Sequence, residues 1–146
     1  MGGRFGYFIA RFHPERLLSL IVMGMYPYPT TDENMSRAAV ESMDDWVPEI
    51  PNISDRHKNR LLENDRQALF AAASNPWPDD TLVLDSLDAP SLVLCGDRDE
   101  MFENAKRAAG QNQNTDFIQL DGLDHVDLIV RSDVTIPHII NFLSTI

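Results

Sequence analysis

The polar and apolar positions of this chain follow two patterns. Short runs rich in apolar residues occupy 17–23, 90–95 and 116–120, with proline, glycine or charged residues at their ends. Runs too short for an ordinary helix are typical of strands buried on both faces of a parallel sheet. Elsewhere apolar residues recur every three or four positions, which predicts helices. The pattern therefore predicts an α/β fold with three parallel strands and flanking helices.

The helical spacing predicts helices at residues 2–12, about 31–46, 54–73, 102–109 and 134–143. The segment 54–73 is expected to be the longest, with Ser54 as its N-cap. One apolar face of the first helix consists of Phe5, Phe8, Ile9 and Phe12. In the last helix, the residues expected to point inward are Ile136, Ile139, Ile140 and Leu143.

Residues 26–80 are predicted to form a mostly helical insertion between two strands, because proline-rich turns interrupt this stretch at both ends and near its middle. Large side chains in and beside the insertion are Met25, Met35, Met43, Trp46 and Trp77. They either line an apolar pocket or pack the insertion against the core, and packing is the commoner role of such residues.

Composition and charge narrow the class of protein. Hydrophobic residues make up 43% of the chain and charged residues 24%, as in ordinary globular proteins. The net charge of −11 disfavours nucleic acid and anionic membranes as partners, since each encounter would begin with repulsion. No apolar run approaches the roughly 20 residues that cross a bilayer, and the amino terminus does not have the layout of a signal peptide.

Cysteine and histidine usage adds two expectations. Cys95 is the one cysteine, so no internal disulfide and no cysteine-rich metal site can form. The four histidines are scattered along the chain, which does not favour a metal site. We therefore expect a cytoplasmic protein without a metal or cofactor, and the oligomeric state is left open.

Candidate chemistry follows two of the predicted strands. Asp97 and Asp99 come directly after the strand at 90–95, and Asp124 and His125 follow the strand at 116–120. In open α/β sheets, ligands bind in the crevice beyond the carboxyl ends of the strands. Because parallel strands end at the same edge, an acid and an imidazole are expected on the same side of the sheet.

These segments resemble the carboxyl-terminal half of an α/β-hydrolase. The matching motifs are GDRD at 96–99, GLDH at 122–125 and the closing segment IINFL at 139–143. Independently, MGGRFG at 1–6 is similar to the residues that follow the nucleophile in the G-x-S-x-G-G turn of that family. The resemblance implies that residues 1–146 are about half of one domain, with 26–80 as its lid.

The resemblance also assigns roles to residues. The family's chain order of nucleophile, acid and histidine implies Asp99 as the acid and His125 as the base. The nucleophile would lie just upstream of Met1, whose backbone N–H would be one donor of the oxyanion hole. The implied activity is hydrolysis of a small-molecule substrate, a small and largely apolar ester or a related compound. The chain by itself would be inactive.

Several alternatives stay open at the level of sequence. Asp97 is expected to face away from the site, and either Asp124 or Asp127 could orient His125 in place of Asp99. His125 could also be an exposed loop residue, and Cys95 is read as a small buried hydrophobe rather than a nucleophile. The chain could instead be a non-catalytic binding module or an inactive, truncated hydrolase. Without the strands that should flank residues 17–23 in the complete fold, the half-sheet leaves a long apolar edge open, and we expect aggregation or a molten state.

Overall fold

The computed structural model describes residues 2–29, 33–51, 53–74 and 78–146, with only the backbone described at 33–36 and 73. It divides into two compact units. The first, called here the sheet unit, consists of Met1–Tyr28 and Asp79–Ile146. The second, called the helical unit, is Pro29–Pro78.

The sheet unit is built on three parallel strands, as the apolar runs predict. They are β1 (Leu20–Met23), β2 (Ser91–Gly96) and β3 (Thr115–Leu120), paired in the order β1-β2-β3. All six residues of β2 are buried, because β2 lies between the other two strands and under helices on both faces. This strand is therefore the centre of the fold.

The described helices follow in chain order. They are α1 (Gly2–Phe12), α2 (Glu33–Glu41), α3 (Met43–Trp46), α4 (Asp55–Leu62), α5 (Arg66–Ala73), α6 (Leu82–Ser86), α7 (Phe102–Ala109), α8 (Asp127–Val130) and α9 (Ser132–Leu143). A 3-10 turn at Pro14–Arg16 joins α1 to β1. None of the helices in the described ranges is long and apolar enough to cross a membrane.

Helices cover both faces of the sheet. On one face, α1, α6 and α7 enclose a small apolar cavity whose lining includes Tyr7, Leu84, Val93 and Ala108. On the other face, α8 and α9 pack their buried residues against Leu92 and Leu94 of β2; these residues are Leu128 and Phe142. The sheet unit therefore has three layers, with α8 and α9 opposite the other helices.

Two glycines bring α1 close to β1. A Cβ atom at Gly3 would lie 2.8 Å from the Cβ of Met25, and one at Gly6 would lie 2.9 Å from Leu20 Cδ1. Any larger residue at these positions would push the helix away from the strand. The predicted apolar face of α1 points elsewhere: Phe5 is 62% exposed and Phe12 is 51% exposed.

One sequence-based boundary and one helix face differ from the structure. The first strand begins at Leu20 rather than residue 17, and Leu18 is 91% exposed. In α9 the inward positions are Thr135, Ile139 and Phe142, which recur at four and three residues along one helical face. Of the predicted inward set, three are exposed instead: Ile136, Ile140 and Leu143.

The helical unit contains shorter helices than predicted. The expected single helix at 54–73 is two, α4 and α5, because the Asp65 carboxylate accepts the N–H groups of Gln67 and Ala68 and starts a new helix. Ser54 caps α4 as predicted. The expected helix at 31–46 is also divided, at Ser42. The unit lies within the predicted insertion at 26–80, whose role as a lid stays a prediction.

The large side chains singled out in the insertion have different surroundings. Met25 and Met43 are buried, whereas Trp46 is 40% exposed. Met25 also lines an apolar groove beside β1, which is described below. The Met35 side chain and Trp77 lie outside the described part of the chain.

Candidate active site

The Asp99 carboxylate is fixed at the carboxyl end of β2. The chain turns there through a hydrogen bond from the Asp99 N–H to the Gly96 carbonyl. Oδ1 of Asp99 accepts the N–H of Met101 at 2.9 Å, just before α7 begins. The side chain of Asp99 is 0% exposed. Because Oδ1 bonds to this amide, the buried carboxylate has Oδ2 left for another group.

The loop after β3 presents His125. Oδ1 of Asp124 accepts the N–H groups of Val126 and Asp127, both at 2.9 Å, and Oδ2 of Asp127 accepts the Asp124 N–H at 3.2 Å. These reciprocal bonds shape the turn that leads into α8, much as a capping box does. Asp124 and Asp127 therefore build the loop, and neither hydrogen-bonds to the His125 imidazole.

Asp99 and His125 meet across the two loops. His125 Nδ1 lies 2.9 Å from Asp99 Oδ2. This hydrogen bond raises the pKa of His125 above its ordinary value of 6.5, against the opposing effect of partial burial. The imidazole side chain is 44% exposed. A carboxylate at Nδ1 favours the tautomer with the proton on that nitrogen, which leaves Nε2 able to accept one.

Gly24 is a site residue that sequence reasoning missed. It follows β1 directly and has a φ of 55°. A Cβ atom there would lie 2.5 Å from Asp99 Oδ2 and 2.9 Å from His125 Nδ1. Only glycine leaves room for the pair and adopts this backbone conformation without strain. Its position after an apolar run, as at Gly96, was the signal that could have found it.

The acid loop and the histidine loop are joined through their backbones. The Arg98 N–H donates to the Leu123 carbonyl at 3.1 Å, and a Cβ atom at Gly96 would lie 2.0 Å from that carbonyl oxygen. Asp97 Oδ1 accepts the Gly122 N–H at 2.7 Å. Asp97 is therefore a brace between the loops, directed away from His125 as the sequence suggested.

A groove of about 300 Å³ runs beside β1 and reaches the imidazole. One wall is the glycine side of α1, with Gly2, Gly3 and Gly6, and the floor is β1. The opposite wall is made by Leu128 and Ile129 of α8, with His125 at one end. Apart from the imidazole, the groove is lined by glycine and apolar side chains.

The structure does not place the other residues that the sequence analysis considered for the site in this arrangement. Met1, predicted to supply an oxyanion-hole amide, lies outside the described residues. Cys95 is fully buried in β2, and burial raises the pKa of its thiol to about 12, which keeps it protonated at neutral pH. Among the residues that the structure describes, histidine, cysteine and carboxylate side chains form no group of three that could hold a metal ion.

Solved structures with the same architecture identify the fold. The chain matches MenH from S. aureus with a TM-score of 0.78 at 17% identity, over 98% of this chain and 65% of that one. It matches the enol-lactonase from Burkholderia xenovorans LB400 with a TM-score of 0.78 at 16% identity, over 99% and 63%. A thermophilic esterase from Thermogutta terrifontis gives 0.70 at 21% identity, over 99% and 62%.

The chain therefore has the α/β-hydrolase fold, over the carboxyl-terminal part of that fold. It spans 62 to 65% of the length of these three proteins. No protein-family model and no curated protein sequence matches it.

Proposed function

We propose that this chain supplies the acid and the base of an α/β-hydrolase. The observation that carries the proposal is the 2.9 Å hydrogen bond between His125 and Asp99 at the carboxyl edge of the sheet. A buried carboxylate at Nδ1 and a partly exposed ring are the features a general base requires. The nucleophile, a serine in a G-x-S-x-G turn, belongs to a segment ahead of Met1.

Each group then has a defined task. His125 takes the proton of the nucleophile as its oxygen attacks the carbonyl carbon of the substrate. His125 then gives that proton to the alkoxide oxygen of the substrate as its bond to the carbonyl carbon breaks, so the alcohol leaves and the acyl group stays bonded to the nucleophile. In the second half of the reaction His125 takes a proton from water as the water oxygen attacks the acyl carbon, and it returns this proton to the nucleophile's oxygen as the acyl bond breaks and the acid leaves. Asp99 holds the ring and stabilises the imidazolium throughout, and the Met1 N–H is one donor to the oxyanion.

The proposed substrate is a small, largely apolar ester or lactone. Two structures of the same fold are described as an esterase and an enol-lactonase, which act on such bonds. Leu128 and Ile129 beside the imidazole suit an apolar group rather than a charged one. No cofactor has a role in this chemistry.

Hydrolysis of p-nitrophenyl butyrate tests the proposal. We expect no turnover above buffer from the 146-residue chain alone, and turnover from the protein isolated from its native source. His125→Ala and Asp99→Asn in that protein should each lower kcat roughly a thousandfold or more, because each disables the base. Asp97→Asn is the matched control, since this brace does not touch the imidazole, and it should retain activity within a few-fold.

Two results would contradict the proposal. Turnover by the chain alone that depends on His125 would mean that its nucleophile is already present among these residues. Inactivity of the native protein on a panel of esters and lactones would favour the binding-module alternative.

A further inference from the structure

The turn between β3 and the histidine loop contains Asp121 followed by Gly122. Across this turn the Leu123 N–H donates to the Leu120 carbonyl at 3.5 Å, and Gly122 has a φ of 76°. A positive φ at the third position is what a type II turn requires, and glycine adopts it without strain. The dipeptide Asp-Gly occurs at no other position of the sequence. The turn therefore places the chain's one Asp-Gly dipeptide just ahead of His125.

An Asp-Gly dipeptide has a reactivity of its own. The backbone nitrogen of the glycine can attack Cγ of the aspartate and close a succinimide ring, because no Cβ atom on the glycine hinders the approach. Here Asp121 is exposed, and a Cβ atom at Gly122 would have no neighbour within 4 Å. The open space around both residues permits ring closure.

The reaction needs only water and the two residues. A bond forms between Gly122 N and Asp121 Cγ, and the hydroxyl of the protonated carboxyl leaves with the amide hydrogen as water. Water then adds to one of the two ring carbonyls. Opening at Cγ restores aspartate, whereas opening at the backbone carbonyl gives isoaspartate, in which the main chain runs through Cβ and Cγ. The product chain is longer by one main-chain atom.

Two hydrogen bonds restrain the reacting groups. Asp97 Oδ1 accepts the Gly122 N–H at 2.7 Å, which fixes the orientation of the nitrogen that would attack. Gln119 Nε2 donates to Asp121 Oδ1 at 2.8 Å, which engages the carboxylate that would be attacked. The nitrogen of a succinimide has no hydrogen. The bond from Gly122 to Asp97 must therefore break before the ring can close.

We propose that Asp121-Gly122 is a site of spontaneous isoaspartate formation, and that the hydrogen bond from Gly122 to Asp97 sets its rate. The brace between the acid and histidine loops then has a second role, which is to slow the chemical ageing of the loop that presents His125. This proposal does not depend on the hydrolase activity.

The modification would disturb the junction of the two loops. The Asp97 N–H donates to the Leu120 carbonyl at 3.2 Å, and the Arg98 N–H donates to the Leu123 carbonyl at 3.1 Å. The acid loop thus holds both ends of the turn. One more main-chain atom between these two carbonyls removes the spacing that both bonds need. Because His125 lies two residues beyond Leu123, its imidazole would move away from its carboxylate partner.

Peptide mapping by mass spectrometry tests the proposal without any substrate. The protein from its native source is aged for several weeks at neutral pH and digested, and isoaspartyl peptides are separated by chromatography from aspartyl peptides of the same mass. We expect isoaspartate at residue 121. Asp85-Ser86 is the internal control, because it also joins an exposed aspartate to a small residue but lies within α6, and it should stay unmodified.

Variants of the same protein separate the two parts of the proposal. Asp97→Ala should raise the rate at residue 121 at least about fivefold, the factor that corresponds to a typical hydrogen bond. Asp97→Asn keeps an acceptor oxygen and should stay close to the native rate. Asp121→Glu keeps the charge but would need a larger ring, so its peptide should show no isomer.

A measurement in urea needs no variant. Unfolding removes the bond to Asp97, so the native protein in urea should form isoaspartate at residue 121 at least about fivefold faster than the folded protein. In urea, Asp97→Ala should react at the same rate as the native protein.

The effect on the site is visible by NMR. In the aged protein, a second set of His125 ring signals should appear in proportion to the isoaspartate at residue 121. His57, which bonds to Ser54 in the helical unit, should keep a single set.

Two results would overturn the proposal. Absence of isoaspartate at residue 121 in aged Asp97→Ala would show that the Asp-Gly pair is not reactive in this turn. Equal rates for the native protein when folded and in urea would show that the bond to Asp97 does not control the reaction. Either result leaves the hydrolase proposal intact, since neither depends on turnover.

Discussion

At the scale of single residues, the state of His125 depends on Asp99. The Asp99 carboxylate is fully buried and uses its other oxygen on the Met101 amide, so its orientation toward the imidazole is fixed before any substrate binds. Stabilising the imidazolium in this way raises the pKa of His125. A raised pKa means that the ring must lose its proton at a higher pH before it can act as a base.

Replacing Asp99 should reverse this shift. In Asp99→Asn the carboxylate charge is gone, so we expect the pKa of His125 to fall from above 6.5 to that value or below, because the imidazolium loses its main stabilising partner while burial still disfavours it. NMR titration of the His125 ring protons measures it directly. Asp97→Asn is the control and should leave the titration unchanged. An unchanged titration in Asp99→Asn would remove Asp99 from its assigned role.

The same pair makes folding depend on pH. The folded pKa of His125 is raised, so the stability gained from its protonated form is present below about pH 6.5 and is lost as the pH rises through the folded value. In Asp99→Asn this decline between acid and neutral pH should be absent.

In the candidate site, residues with a reactive side chain could be predicted from the sequence. A residue whose only role is to leave room for others could not. That Asp99 and His125 lie together could be predicted, because both follow buried parallel strands that end at the same edge of the sheet. Gly24 could not, because its contribution is the absence of a side chain where Asp99 and His125 meet. That crowding exists only once β1 is placed beside β2.

At the scale of elements, α1 binds the two chain segments of the sheet unit that flank the helical unit in the sequence, one at 26–28 and one at 79–80. Arg4 Nη1 donates to the carbonyls of Tyr26 and Tyr28 at 2.9 and 3.0 Å. Asp80, 2% exposed, accepts from Arg11 Nη1 at 2.9 Å and lies 3.8 Å from Arg4 Nη2. One helix thus holds residues on both sides of the helical unit in the sequence.

Removing the Asp80 carboxylate, which Arg4 and Arg11 share, should therefore lower the stability of the fold. Asp80→Ala leaves the buried Arg4 guanidinium with less compensation, and we expect the free energy of unfolding to fall by about 3 kcal/mol. Chemical denaturation measures the change. Asp133→Ala is the matched control, because the Asp133 ion pair with Arg131 is exposed, and it should have no measurable effect. Equal effects of the two substitutions would show that the buried cluster adds nothing.

Helices and strands could be predicted best where the element is buried on both faces, because the whole segment is then apolar. The three strands are apolar runs, and they were found with errors only at the ends. The prediction of a single helix at 54–73 was wrong, because the Asp65 side chain caps a new helix. The spacing of apolar residues contains no information about such a local hydrogen bond. The prediction of the inward face of α9 was also wrong. It assumed that the isoleucine and leucine residues of this helix point inward, but three of them remain exposed.

At the scale of the whole molecule, two features have opposite effects on association between chains: the exposed apolar surface on α1 and the net charge of −11. Repulsion between like-charged chains opposes association, but an open strand edge beside exposed aromatic rings favours it. Because the edge and the rings lie together, we expect the chain alone to associate through this region and to bind apolar dyes.

A charge placed in this region should weaken association. Phe5→Lys puts a cation on the α1 surface beside the groove, whereas Leu82→Lys puts one on α6 at a residue with nearly the same exposure, 63% against 62%. Light scattering and dye fluorescence should fall in the first variant and stay unchanged in the second. Equal reductions would mean that association follows net charge rather than this surface.

The backbone junction at Gly96 also bears on how far such a sequence can diverge. The acid and histidine loops are joined by the main-chain N–H of Arg98 and the carbonyl of Leu123, groups that nearly every amino acid possesses. Exposed side chains of both loops can therefore change over evolutionary time without moving Asp99 away from His125. A site held in this way outlasts recognisable sequence similarity, in keeping with a shared fold at 16 to 21% identity.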